Sequence, residues 1–87
     1  MIFLVLSPFF VPKSQFVGIF MKAIGETIRQ RRKEFGLTQS ELAALSHIGI
    51  NTLTQIERGE GNPTVRVLGQ VLETLGLRLT VTIIEVQ

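Results

Sequence analysis

Three glycines divide this chain into short segments: Gly36, Gly59 and Gly76 each follow apolar residues that recur at helical spacing. Glycine commonly ends helices, because it adopts a left-handed conformation without the steric cost of a Cβ atom. The helices between these points must therefore be short. A chain of 87 residues forms one small domain, in which short helices are stable only when their apolar faces pack together. The sequence thus predicts a small helical bundle.

The residue types present exclude several classes of function. The chain has no Cys and no Asp, and His47 is its single histidine. A disulfide framework and a thiolate metal site are therefore excluded, and one histidine cannot form a His-rich metal site. Because no nucleophile–base pair is visible either, the composition favours a binding module over an enzyme. The formal net charge of +2 is too small to indicate nucleic-acid binding by itself.

The first twenty residues differ from the rest of the chain, since they contain five of its six Phe and a single charged residue, Lys13. A signal peptide requires basic residues at its start, but no Lys or Arg precedes Lys13. Two prolines and Lys13 interrupt the apolar run that a membrane-spanning helix needs. A short strand over residues 2–6 is one option. We expect residues 1–20 to be either an over-extended gene start, with Met21 as the natural first residue, or a partly ordered arm.

The first predicted helix covers residues 22–35, where Ile24, Ile28 and Phe35 fall near one face. Gly36 follows as the residue that ends this helix. The basic residues of this segment are predicted to lie on the solvent side; they are Arg29, Arg31, Arg32 and Lys33.

A capping-box pattern opens the second helix. Thr38 and Glu41 have the spacing at which each side chain bonds to the backbone N–H of the other residue. The helix that they begin is short and ends near Ser46. Residues 47–49 then form a turn, and a third helix is predicted over residues 50–57.

The fourth predicted helix begins at Thr64, which can cap it, and ends at Gly76. Gly69 lies inside this helix, where it either allows a neighbouring helix to approach closely or is merely tolerated. The apolar stripe of this helix consists of Val67, Leu68, Val71, Leu72 and Leu75.

Beyond Gly76 the apolar spacing changes to strict alternation, which predicts a β-strand over residues 77–83. A lone strand leaves its backbone groups unpaired. It therefore pairs either with an N-terminal strand or with its own copy in a second chain. The residues on its apolar face, which we predict to mediate dimerisation, are Leu77, Leu79, Val81 and Ile83.

Two short helices joined by a tight turn, with a polar outer face on the second, are typical of a helix-turn-helix. Residues 37–64 read LTQSELAALSHIGINTLTQIERGEGNPT. This stretch resembles the DNA-binding domain of the Cro/repressor-type (XRE-like) family, and the resemblance extends over about residues 24–76. It implies an all-α, compact, four- to five-helix lambda-repressor-like domain over residues 21–76. The C-terminal β-strand within residues 77–87 would then pair across a dimer.

The resemblance also implies which residues contact DNA. The second helix of the motif enters the major groove with its N-terminal end, and polar side chains on it read base edges. Leu53 and Ile56 point inward, so the opposite face of that helix is expected to face DNA. The residues on this reading face are Ile50, Asn51, Thr54 and Gln55.

Contacts to phosphate are expected at two helix starts, where free N–H groups favour an anion. Gln39 lies at the first of them, and Thr64 and Arg66 lie at the second. Arg58 is expected either to touch DNA or to serve the fold. Glu57 is expected to cap or to form an ion pair rather than to touch DNA.

The chain departs from the family pattern at three positions. His47 stands where glycine is usual in the turn, but histidine is among the residues that tolerate a positive φ. Gly49 replaces a Ser-like cap and supplies no side-chain oxygen. Ile50 stands where a polar base reader is common, which shifts base reading toward Asn51, Thr54 and Gln55.

The function implied by the resemblance is a cytoplasmic, sequence-specific DNA-binding repressor. It acts as a homodimer on a palindromic operator and needs no cofactor, metal or membrane. The segment from Leu75 to Val81 also resembles the C-terminal end of HipB-type antitoxins, which adds a HipA-like kinase toxin as a partner. The alternative is a protein-interaction module that keeps the helix-turn-helix scaffold without reading DNA. Ile50 on the reading face and the low net charge favour this alternative.

Overall fold

A computed structural model of the chain describes the backbone of residues 13–80 and the side chains of residues 17–80. Four helices follow one another in the order α1 (Lys13–Glu34), α2 (Gln39–Leu45), α3 (Ile50–Glu57) and α4 (Val65–Thr74). The described part of the chain is thus all-α, as the sequence predicts. The positive φ angles of the three helix-ending glycines, 68°, 73° and 70° at Gly36, Gly59 and Gly76, confirm their predicted role.

The predicted N- and C-terminal strands lie wholly or partly outside the described residues. The segment 2–6 is outside them, and so are Val81 and Ile83. Within residues 77–80, Leu79 is an isolated β-bridge residue, and this described part of the tail contains no continuous strand. Leu77 and Leu79 are half-buried against the core of the same chain. The tail strand and its pairing across a dimer therefore remain predictions.

The first helix begins nine residues earlier than the sequence predicted. It runs from Lys13 through Met21 without a break, and Phe20 packs against the core, whereas Val17 and Ile19 are exposed. The prediction was wrong because the residues from Phe16 to Met21 are apolar on every side. Such a stretch has no amphipathic period from which the helix could be inferred.

The core combines apolar side chains from all four helices. The predicted stripe of α4 is confirmed, except that Val67 is only half-buried. Phe35 was predicted to face the core but is 47% exposed, because it lies just beyond the end of α1, where the helical period no longer applies. The guanidinium of Arg31 lies over the Phe35 ring, 4.5 Å from the ring centroid. The largest fully buried apolar side chains are Ile24, Ile28, Leu42, Leu53, Ile56, Leu72, Leu75 and Val71.

The backbones of α1 and of the C-terminal end of α3 are in direct contact. Gly25 is buried, and a Cβ atom placed on it would clash with the carbonyl oxygen of Ile56 and lie 3.0 Å from that of Glu57. At Gly59, just after α3, a Cβ atom would lie 2.8 Å from Cγ of Lys22. These two glycines allow α1 to support α3 directly from behind.

Two side chains fix the other helices in place. The Nε of Arg31 donates to the carbonyl oxygen of Leu75 at the end of α4, at 3.0 Å, although Arg31 was predicted to lie on the solvent side. Ser46 is buried at the end of α2 and donates from its hydroxyl to Oγ1 of Thr74 at 3.1 Å. Arg31 thus ties α1 to α4, and Ser46 ties α2 to α4.

Candidate nucleic-acid interface

The capping box at the start of α2 forms as predicted. The backbone N–H of Glu41 donates to Oγ1 of Thr38 at 3.1 Å, and the backbone N–H of Thr38 donates to Oε1 of Glu41 at 3.0 Å. The backbone and side-chain hydrogen bonds with Thr38 lower the pKa of Glu41, because they stabilise its charged form. This box fixes where α2 begins and therefore where Gln39 lies.

The turn of the motif is made by His47, whose φ of 58° confirms the predicted left-handed conformation. Gly49 then serves as the N-cap of α3, with φ −71° and ψ 147°, and supplies no side-chain hydrogen bond. The backbone N–H of Ile48 donates to the carbonyl oxygen of Ala43 at 3.0 Å, which closes the end of α2. The turn thus sets the direction of α3 relative to α2.

The two faces of α3 differ as the sequence predicts. Leu53 and Ile56 are 0% and 1% exposed, whereas Asn51 and Gln55 are exposed. Neither exposed amide forms a side-chain hydrogen bond with another described residue. Both carboxamides are therefore available to a ligand. Each has the donor and the acceptor that a bidentate contact with adenine requires.

The other two predicted reading residues have a different chemistry. Ile50, the first residue of α3, is 45% exposed. Thr54 is half-buried, and its hydroxyl donates to the carbonyl oxygen of Ile50 at 2.9 Å. The structure thus brings all four predicted readers onto the side of α3 away from the core, two of them with free amides.

A network that the sequence did not predict joins α1, α2 and α3 beneath this face. Arg32 donates to Glu57 through two nitrogens, with Nε 2.8 Å from Oε2 and Nη2 3.0 Å from Oε1, and Nη1 donates to the carbonyl oxygen of Leu37 at 2.9 Å. The side chains of Arg32 and Glu57 are only 12% and 3% exposed. Glu57 thus forms an ion pair, as expected, but the prediction that Arg32 faces solvent was wrong.

Gln39 belongs to the same network. Its Nε2 donates to Oε1 of Glu57 at 3.2 Å. A carboxamide nitrogen carries two protons, so one donor of Gln39 remains for a phosphate oxygen. The sequence offered no signal for this arrangement, because Glu57 lies 25 residues from Arg32 and 18 from Gln39 and the three residues form no motif.

The remaining residues predicted to contact DNA take no part in the hydrogen bonds of this network. Arg58 is the exposed C-cap residue of α3. Thr64 caps α4, where its Oγ1 accepts from the backbone N–H of Val67 at 3.1 Å, and Arg66, the second residue of that helix, is exposed. Among the described residues, no hydrogen bond joins Thr64 or Arg66 to α3, and the main helix contact of α4 is with α2. Their contact with DNA therefore remains a prediction.

The fold and the exposed face of α3 define a helix-turn-helix domain of the kind that places its second helix in the major groove. A family model described as helix-turn-helix matches residues 28–81 of the chain. The chain therefore belongs to this family, and its resemblance to Cro/repressor-type regulators is confirmed. Members of the family are DNA-binding regulators of transcription and not enzymes.

Individual relatives agree with this assignment. The HTH-type transcriptional regulator y4dJ of Sinorhizobium fredii is 39% identical over 56 residues, which cover 64% of this chain and 73% of that protein. A second regulator of the same organism, y4mF, is 34% identical over 58 residues, which cover 67% of this chain and 76% of that protein.

A solved structure shows the same arrangement of helices. The clp gene regulator ClgR from Corynebacterium glutamicum superposes with a TM-score of 0.61 and is 32% identical. The superposition covers 66% of this chain and 61% of the ClgR chain, so the chain spans about three fifths of that protein. Within residues 13–80, no helix combines the length and hydropathy needed to cross a bilayer.

Proposed function

We propose that this chain is a sequence-specific repressor that binds a palindromic operator as a homodimer. The observation that carries the proposal is the free face of α3, where Asn51 and Gln55 are exposed and unbonded while Leu53 and Ile56 fill the core. An exposed helix with two adjacent amide readers fits the major groove, in which adenine presents a matching acceptor and donor. Repression would follow from occupying a promoter.

Phosphate contacts would fix the domain on the duplex. Gln39 is held by Glu57 and keeps one amide proton for a phosphate oxygen. Thr64, Arg66 and Arg58 are exposed and provide further donors. Because these contacts release counterions from DNA, we expect the affinity to fall steeply with salt.

Dimerisation is proposed because one recognition helix covers only about half of an operator. The tail from Leu77 to Ile83 supports it, since a strand at an open edge can pair with its own copy. Leu77 and Leu79 also pack on the core, so a truncation at Gly76 would disturb the fold as well. Truncation after Thr80 removes residues 81–87, including Val81 and Ile83, but keeps Leu77 and Leu79, so it is the better test. We expect monomers in sedimentation and weaker operator binding, while an unchanged dimer would refute the tail interface.

The antitoxin form of this proposal adds a HipA-like kinase toxin as a protein partner. It is supported by the likeness of the segment from Leu75 to Val81 to HipB-type antitoxins. The reading frames beside the gene provide the test. A kinase-like neighbour that co-purifies with this chain would support the antitoxin role, and the absence of such a gene would refute it.

The experiment for DNA reading compares wild-type protein with an Asn51→Ala/Gln55→Ala variant on the fragment upstream of its own gene. We expect the double variant to lose specific binding at moderate salt, where nonspecific binding is weak. Gln30→Ala is the matched control, since Gln30 is an exposed amide on α1. Equal affinity of the two proteins would reject this reading face. Loss of a protein partner instead of DNA would favour an interaction module.

A further inference from the structure

The N-terminal part of the reading face is apolar, although base readers are usually polar. Ile50 is 45% exposed, whereas Ile24, Ile28 and Ile56 are at most 1% exposed. Thr54 lies one turn further along α3, at the i+4 position, where side chains of a helix are neighbours. The exposed part of this isoleucine does not stabilise the free domain, because its apolar surface remains in water.

The hydroxyl of Thr54 is already committed within the helix. It donates to the carbonyl oxygen of Ile50 at 2.9 Å, and a hydroxyl has only one proton to donate. While this bond is made, Thr54 has no proton left to donate to O6 or N7 of guanine or to O4 of thymine. The groups it can still offer to a base are its γ-methyl and a lone pair, and the methyl extends the aliphatic surface that begins at Ile50.

We infer that Ile50 and Thr54 form an apolar edge that recognises the 5-methyl group of a pyrimidine in the major groove. This inference rests on the proposed function and names the base chemistry that it reads. Thymine is the only standard base that presents a methyl group there. The neighbouring amides of Asn51 and Gln55 favour adenine, so each half-site combines adenine with at least one methyl-bearing pyrimidine.

The size of the effect follows from the burial of one methyl group. Removing a buried methyl lowers affinity about four-fold. The same methyl occurs on 5-methylcytosine, so this edge would read a methylated cytosine at the contacted position as it reads thymine. Replacing cytosine there by 5-methylcytosine should then raise affinity by a similar factor.

The test uses a duplex selected by the wild-type protein from a randomised pool. Each thymine in turn is replaced by deoxyuridine, which lacks the methyl but keeps every hydrogen-bonding group. We expect one position per half-site to lose about four-fold in affinity. A second series at that position, cytosine against 5-methylcytosine, separates recognition of the methyl from recognition of the thymine oxygens.

Three variants assign the effect to these residues. Ile50→Ala and Thr54→Ser each remove methyl surface, and the serine keeps the hydroxyl that donates to Ile50. We expect both to bind thymine and deoxyuridine nearly alike. Thr54→Val keeps the methyl and loses only the internal hydrogen bond, so it should retain the discrimination. Circular dichroism checks that all three variants remain folded.

The possible results distinguish failure of methyl recognition from failure of DNA binding. Specific binding by wild-type protein without any thymine–deoxyuridine difference overturns the inference and leaves the proposed function intact. A difference that persists in both Ile50→Ala and Thr54→Ser also overturns it, since another group must then read the methyl. If no duplex is selected at low salt, the proposed function fails and the inference fails with it.

Discussion

The contact between α1 and α3 predicts opposite effects for two glycine-to-alanine changes. Gly25 and Gly69 both lie inside helices. A Cβ atom at Gly25 would lie 3.0 Å from the carbonyl oxygen of Glu57 and still closer to that of Ile56. A Cβ atom at Gly69 would have no described atom within 4 Å. The two changes are chemically identical, so any difference between them reports on the space around each glycine.

The expected magnitudes follow from these surroundings. Gly69→Ala should raise the free energy of unfolding by about 0.5–1 kcal/mol, the ordinary gain of alanine over glycine within a helix. Gly25→Ala gains the same helix propensity, but its methyl group pushes the backbone of α1 away from that of α3. Because a backbone carbonyl cannot rotate away as a side chain does, we expect a net loss of about 1–3 kcal/mol. The midpoint of thermal unfolding should shift by roughly 4–8 °C for each kcal/mol in a domain of this size.

Urea denaturation followed by circular dichroism measures both variants against wild-type protein. Equal m-values would show that only stability has changed. Gly25→Ala should also weaken DNA binding, since it displaces the support behind α3. Wild-type stability or better in Gly25→Ala would refute the close helix contact. A large loss in Gly69→Ala would show that another segment or a second chain covers that site.

Three further predictions concern the motif. Arg32→Ala leaves the buried carboxylate of Glu57 without its ion-pair partner and should lower the free energy of unfolding by about 3–5 kcal/mol. An Arg32→Met/Glu57→Met double variant leaves no unpaired charge, so urea titration should show a smaller loss of stability. Because the pKa of Glu41 is lowered in the folded state, its capping bond stabilises the fold above the ordinary carboxyl pKa, and this stabilisation is lost as pH falls toward the lowered pKa. Glu41→Gln should remove this part of the pH dependence of stability. An acid titration of stability that is the same in Glu41→Gln as in wild-type protein would contradict this prediction. His47→Gly should raise stability by about 1 kcal/mol, because φ is 58° at this position, and a loss in thermal unfolding would show that the imidazole itself stabilises the turn.

Local signals in the sequence predicted α2, the turn, α3 and α4. Thr38 and Glu41 mark the start of α2, Gly59 marks the end of α3, and Thr64 and Gly76 bound α4; each acts on its nearest neighbours. Such residues satisfy or release backbone groups within one turn, so their effect is readable without the rest of the fold.

The features that the sequence did not reveal depend on contacts between distant segments. Arg32 was assigned to solvent because charged residues usually lie there, and only the approach of α3 brings Glu57 within 2.8 Å of it. Gly25 carried no local signal, since its role depends on the carbonyl groups of another helix. The reading face was predictable for a different reason: once Leu53 and Ile56 point inward, the helical period fixes which residues point outward.

Operator affinity, measured by fluorescence anisotropy, shows whether the exposed face of α3 reads DNA. The comparison sets wild-type protein against Asn51→Ala/Gln55→Ala, on a selected duplex and on a scrambled duplex of the same composition. If α3 reads DNA, wild-type protein should prefer the selected duplex, and the double variant should bind both duplexes equally and weakly. A double variant that still prefers the selected duplex as strongly as wild-type protein would contradict it.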